Sequence, residues 1–205
     1  MGLISNGTTI FDAGALDSGL AKGAMTFIKK LTASSSATLS FVNGASGVVL
    51  DNTYKEYLFT FKDIHPATDD ALFQFNMSID AGSNYNVHKT STSFRARHQE
   101  GGSNTALEYR TAEDLAQGTG FQTIVGGIGS DADQSAAGTL TLFNPSSTTF
   151  VKHFIANLQE AHEGNYSIQY FTAGYGNNTS AVDAIQFKMN SGNIDAGDIC
   201  LYGIA

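Results

Sequence analysis

Tryptophan is absent from this 205-residue chain, proline occurs twice and cysteine once. The single thiol, Cys200, excludes an intrachain disulfide and a cysteine-based metal cluster within one chain, and it reads as a small buried hydrophobe in the last strand. Basic residues are few, 11 Lys and Arg against 19 Asp and Glu, giving a net charge of -8. Such a surface repels phosphate backbones and anionic headgroups, so no nucleic-acid partner is expected. Charge of either sign is thin at 15% of residues, where about 25% is usual. Ser, Thr, Asn, Gln and Gly must then supply most of the polar exterior, and a weakly charged exterior suits close packing against other subunits. No apolar run approaches the roughly 20 residues that span a bilayer, so membrane insertion is not expected. The opening MGLISNGTTI lacks the basic and apolar regions of a secretory signal and has Asn6 where the myristoylation pattern needs Ser or Thr. The expectation is a soluble protein made in a reducing compartment.

What the chain does have is aromatic bulk, 14 Phe and 8 Tyr, enough for the core of one sizeable domain. In "LFQFNMSID", Phe73, Phe75, Met77 and Ile79 alternate with Gln74, Asn76 and Ser78, the period of a strand buried on one face. "AIQFKMN" repeats the pattern, with Ile185, Phe187 and Met189 expected inward. The stretches 26–31, 37–42, 54–64, 92–98, 138–143, 149–158, 166–172 and 199–204 complete about ten expected strands. Turn chemistry separates several of them, as in "NPSS", "GNY", "GNN" and "DAGSN". Only "RTAEDLAQ", residues 110–117, reads as a short helix, with Thr111 as its N-cap. The expected fold is an all-β antiparallel sandwich over residues 26–205, jelly-roll-like, preceded by an extended N-terminal arm over residues 1–25. The apolar end of the chain, "DICLYGI", is expected to be its final strand, with Ile199 and Leu201 on one face and Cys200, Tyr202 and Ile204 on the other. "GNIDAG" before it is expected to reverse the chain. The arm is glycine-rich with scattered apolar residues, and chain ends fray unless held. Leu3, Ile4, Ile10 and Phe11 are therefore the candidate contacts for assembly, docking on a neighbouring chain.

Catalytic and metal signatures are missing. The histidines His65, His88, His98, His153 and His162 never fall at HExxH or HxH spacing. His153 is expected at the core edge in step with Val151 and Ile155, and His65 at a strand end before Pro66. Asp131 and Asp133 in "SDADQ" lack the Gly and the terminal Glu of a calcium loop. No GxSxG elbow, P-loop or dinucleotide fingerprint occurs, and "GGIG" at 126–129 opens no helix. Glu100, Glu108, Glu160 and Glu163 lie in or beside loops, where two could serve a glycosidase only if the fold brought them about 5 to 9.5 Å apart in a cleft. No catalytic residue, metal or cofactor is assigned, and a non-enzymatic role is expected. "GNYSIQYFTAGYGNNTS", residues 164–180, sets tyrosines among Gly and Asn, the make-up of adaptable binding loops. Tyr166, Tyr175, Asn177 and Asn178 are its candidate surface residues. A strand whose aromatics are core and rim is the alternative.

"SGNIDAGDICLYGI" resembles the GNI–x–x–G–x–I–x–LYGI closing strand of structural proteins from tailed bacteriophages. "ATLSFVNG…TYKEYLFTFKDIHPATDDALFQFNMSIDAGSNY" is similar to the front part of those proteins, and "LFNPSSTTFVKHF" to their middle hairpin. "LISNGTTIFDAGAL" resembles, more loosely, leader segments of marine phage virion proteins. The resemblance covers most of residues 30–205. It implies a non-enzymatic virion component assembled in the host cytoplasm, a tail-fibre or tail-associated subunit at the particle surface that contributes to host attachment. A capsid decoration protein is the alternative, and a lectin-like glycan-binding module or glycan depolymerase a second one. The implied partners are copies of itself, with a homotrimer favoured, other virion proteins and a host surface glycan.

Overall fold

Apolar and polar residues in alternation, broken by Gly, Asn, Asp and Ser, favour antiparallel strands joined by tight turns. The computed structural model describes residues 3–12, 15–16 and 23–205, and among the described residues it holds strands and turns but no helix. Near the N-terminus, β1 (Leu3–Ser5), β2 (Thr8–Asp12) and β3 (Ala15–Leu16) form a small antiparallel sheet of their own. The segment expected as a plain extended arm is thus folded back on itself. Asn6 and Gly7, at φ 50° and 78°, close the first hairpin beside the Ser5–Thr8 pair, and Asn-Gly is the dipeptide that a two-residue hairpin with both φ angles positive selects.

The other strands are β4 (Met25–Ser36), β5 (Leu39–Val42), β6 (Glu56–Pro66), β7 (Ala71–Ser78), β8 (Lys89–Gln99), β9 (Thr105–Tyr109), β10 (Gln122–Ile128), β11 (Ala136–Phe143), β12 (Lys152–His162), β13 (Tyr166–Gly176), β14 (Ala184–Met189) and β15 (Ile194–Ile204). They make one twelve-stranded antiparallel sheet that nearly closes like a barrel. One run of neighbours is β4-β15-β6-β11-β12-β13-β8-β9 and the other β10-β7-β14-β5. The two runs join where Ile128 pairs with His162.

The core lies between the runs, and Phe187 of β14 is its centre. Its ring meets Phe59 at 5.4 Å, Phe61 at 5.3 Å, Phe73 at 5.9 Å, and Phe41 and Phe75 at 6.3 Å between centroids. Phe73, Phe75 and Met77 face inward as their alternation requires. Ile79, expected with them, lies one residue past the end of β7 and is 37% exposed. The final strand β15 is central, paired with β4 on one side and β6 on the other. Ile199 and Leu201 are buried, whereas Cys200, expected to be buried, is half-buried with Tyr202 and Ile204 on the outer face. "GNIDAG" is not wholly a turn, because β15 already starts at Ile194 and slips register against β6 up to Asp198.

Three further expectations are corrected. On β12 the inward positions belong to Lys152, Phe154, Ala156, Leu158 and Glu160, so His153 faces outward with Ile155. Lys152 is accommodated because its ammonium donates to the carbonyls of Ser147, Phe150 and Asn178. The segment 110–117 is a single turn, not a helix. The amides of Glu113 and Asp114 both donate to the Arg110 carbonyl, and the chain then joins the edge of β8, where Ser91 and Leu115 exchange hydrogen bonds. Two turns of helix nucleate poorly, and the waiting sheet edge supplies better partners. Strands β9 and β10 lie outside the expected set. Every residue of β10 is buried, so it carries no alternation to read.

Replacing Phe187 with Ala removes the ring shared by all these contacts and is expected to cost about 3 to 5 kcal/mol. Thermal or urea unfolding measures it. A variant that melts with the native protein would contradict this placement of the core.

Candidate functional site

Two features stand out: an apolar outer face on the longer run of strands, and a polar cleft beside the junction of the two runs.

Antiparallel pairing puts cross-strand partners in rows. One outward row crosses seven strands through Thr92, Ala173, Ile155, Thr141, Leu58, Tyr202 and Phe27, and it contains no charged residue. The neighbouring row passes from Tyr109 through Phe94 and Phe171 to Asn157, Thr139, Thr60 and Cys200 before reaching its first charge at Lys30. Phe27 is 56% exposed, Ile155 54% and Phe94 40%. Phe94 stacks on Phe171 at 4.9 Å, and Phe27 meets Tyr202 edge-on at 5.6 Å. Over β8, β13 and β12 the face is hollowed by a cavity of about 460 Å³ around Ile155, Ala173, Gly174 and Tyr175, adjoining another of about 260 Å³ at Phe94 and Phe171. Exposed apolar residues grouped in this way mark interaction sites, and the outer face of an antiparallel sheet can pack on a second sheet.

The cleft, about 410 Å³, is lined by Asp70, Arg95, Arg110, Glu113, His162 and Glu163 over a floor of Gly126 and Gly127. A side chain at Gly127 would strike the imidazole of His162, and one at Gly126 would crowd Glu113 and the Tyr170 hydroxyl. Arg110 holds Glu113 Oε1 at 3.0 and 2.8 Å. Arg95 donates to the Tyr170 hydroxyl at 2.9 Å and to Glu108 at 3.1 Å, and Arg97 pairs with Glu108 at 2.9 Å. Behind them Glu160 is fully buried, with neither carboxyl oxygen hydrogen-bonded to protein. Burial pushes its carboxyl well above the usual carboxylate range and raises the Tyr170 phenol as well. Burial also lowers His162, favouring the neutral ring.

Asp70, His162 and Glu163 bring one ligand-type atom each within 4.8 Å of one another. His162 Nδ1 already accepts the Gly164 amide at 2.9 Å, so the neutral ring carries its proton on Nε2. A metal-ligating imidazole donates from its second nitrogen; this one accepts there and offers the cleft a donor.

The residues expected at binding sites scatter. Leu3 and Ile4 are 63% and 60% exposed on β1, and Ile10 is half-buried on β2. The side chain of Phe11 lies outside the described residues. Tyr166 and Tyr175 sit at opposite ends of β13, roughly 30 Å apart at strand rise. Tyr166 packs against His162 beside the cleft, with Arg97 over its ring at 5.5 Å. Tyr175 belongs to the larger outer hollow. Asn177 donates its side-chain amide to Gln117, while Asn178 accepts from the Ser180 amide. Among the acids, Glu163 lines the cleft, Glu160 is buried behind it, Glu108 is tied to Arg95 and Arg97, and the Glu100 amide holds the turn at Asn165. Asp131 takes part in a turn closed by Gln134. Arg95, Arg110, Glu113 and Asp70 lie beyond the sequence expectations. The one local signal was the spacing of three between Arg110 and Glu113, which the helix reading of that stretch absorbed.

No protein-family model, curated protein or solved structure matches this chain.

The Glu160 environment fixes a sign for pH dependence. A carboxyl raised in the folded state contributes stability that is complete below its ordinary value and lost as pH rises through the folded one. Glu160→Gln should match the native protein at acidic pH and exceed it increasingly above, by up to about 1.4 kcal/mol per pH unit within that window. Lys89, whose ammonium burial lowers to about 7, is common to both proteins and cancels in the difference. Urea unfolding across a pH series measures the gap; a constant gap would show that Glu160 is ionised in the folded protein.

Proposed function

We propose that this protein is a non-enzymatic structural component of a tailed-phage virion, a tail-fibre or tail-associated subunit that assembles through its apolar outer sheet face. The observation that carries the reading is the row from Thr92 to Phe27, which crosses seven strands without a charge. An enzyme or a freely diffusing binding module has no need of such a surface, whereas a subunit covered by copies of itself does. The exposed Leu3 and Ile4 of the N-terminal sheet supply a second apolar contact for neighbours. The phage assignment itself rests on the resemblance of the closing strand "GNIDAGDICLYGI" and the motifs before it.

The strand order supports a jelly-roll reading of the fold. The four neighbours β4-β15-β6-β11 and the four β5-β14-β7-β10 interleave along the chain as the two sheets of a double Greek key do. On this reading β8-β9 and β12-β13 are insertions that widen the first sheet. Jelly rolls recur in viral coat proteins and in lectins, so the topology is compatible with particle assembly without deciding it.

Immunolabelling of purified virions tests the assignment: label at the tail supports it, label over the head favours the decoration alternative, and unlabelled particles refute it. Ile155→Lys places a charge in the middle of the outer face at an exposed position. Sedimentation velocity should show smaller species with an unchanged melting temperature, and an unaltered oligomer would remove the outer face from the account. Deleting residues 2–20 should leave the twelve-stranded domain folded but unable to join particles. Normal incorporation of the truncated protein would end the arm's role.

A further inference from the structure

The polar cleft is not used by the assembly reading, and its chemistry is unbalanced in a specific way. At about 410 Å³ it lies within the size range of small-molecule sites. Glu113 lines it with a side chain only 5% exposed; Oε1 takes both bonds from Arg110, and Oε2 is buried without a partner. A buried carboxylate oxygen in that state is costly, but it is closed to a guest, so the acceptors open to the cleft are the exposed carboxylates of Asp70 and Glu163. Asp70 and Glu163, at the same cleft, enter no ion pair among the described residues. His162 adds a donor at Nε2, because Nδ1 is committed to Gly164.

We infer that this cleft binds one neutral, hydroxyl-rich sugar residue of a saccharide. Each hydroxyl can donate to a free carboxylate oxygen of Asp70 or Glu163 and accept from the imidazole N–H of His162, so a ring bearing several of them meets both kinds of group in the lining. An anionic guest is opposed by three carboxylates, since the guanidiniums of Arg95 and Arg110 are already engaged with Tyr170, Glu108 and Glu113. A metal ion lacks the imidazole lone pair it would need. Leu72 and Ala112 give the cleft apolar wall, and Tyr166, packed edge-on against His162 at 5.9 Å, sets an aromatic ring beside it.

Saturation-transfer NMR on the full chain with D-glucose, D-galactose, D-mannose and N-acetylglucosamine, each at millimolar concentration, tests the inference. At least one sugar should receive saturation, with binding insensitive to EDTA. The double variant Asp70→Asn, Glu163→Gln should weaken that binding about tenfold or more while melting like the native protein. Asn tolerates the positive φ of 53° at Asp70, and both residues are exposed, so the fold should survive. No transfer to any of the four sugars would overturn the inference, as would binding unchanged in the folded double variant or binding abolished by EDTA. None of these results depends on whether the outer face mediates assembly.

Discussion

A four-strand run packed against an eight-strand run covers only part of it, and that mismatch shapes the whole molecule. Where β10, β7, β14 and β5 provide cover, the interior is aromatic and centred on Phe187. Farther along the longer run, the inner face of β8 carries Lys89, Ser91, Ser93 and Arg95, all buried. No apolar layer meets them. They are covered instead by the chain between β9 and β10, where Ser91 and Leu115 exchange hydrogen bonds, and by Gln122 at the start of β10, which accepts from Ser91 and donates to the Glu113 carbonyl. The interior therefore changes from hydrophobic to polar along one continuous sheet, and the cleft opens where that polar part meets the junction at His162.

The same geometry accounts for the outer face. A wide antiparallel sheet with its core on one side usually turns polar residues to the other. Here the outward rows keep Phe27, Leu58, Tyr202, Ile155, Phe94 and Phe171 among threonines, with almost no charge. The low share of charged residues, 15%, and an apolar sheet face are thus two views of one property. Covering that face against another copy is the simplest use of it.

The apolar skeleton was legible in the sequence because it obeys period two: Phe73, Phe75 and Met77, and Ile185, Phe187 and Met189, face the core as their alternation indicates. Legibility failed where burial and polarity part company. On β12 both faces carry apolar residues, so alternation alone could not choose between Phe154 and Ile155, and a fully buried lysine is a poor guide to an inward face. On β8 the pattern is inverted, with Phe94 outward and Arg95 inward. Strand β10 shows no alternation because it is buried on both faces. The hairpin at Asn6-Gly7 had the strongest short-range turn signal in the N-terminal segment, but the surrounding glycines masked it. The cleft was the least visible feature, since Asp70, Arg95, Glu113 and His162 come from separate turns and strands and only the sheet junction brings them together.

The central claim, that the outer sheet face is covered in the assembled particle, can be tested at the one cysteine of the chain. Cys200 stands half-buried in an outward row between Thr60 and Lys30, clear of the cleft residues. The alkylation rate of this thiol by iodoacetamide should be compared between assembled and dissociated protein at the same pH. The account expects strong protection on assembly, lost when Ile155→Lys prevents it. Equal rates in the two states would contradict it.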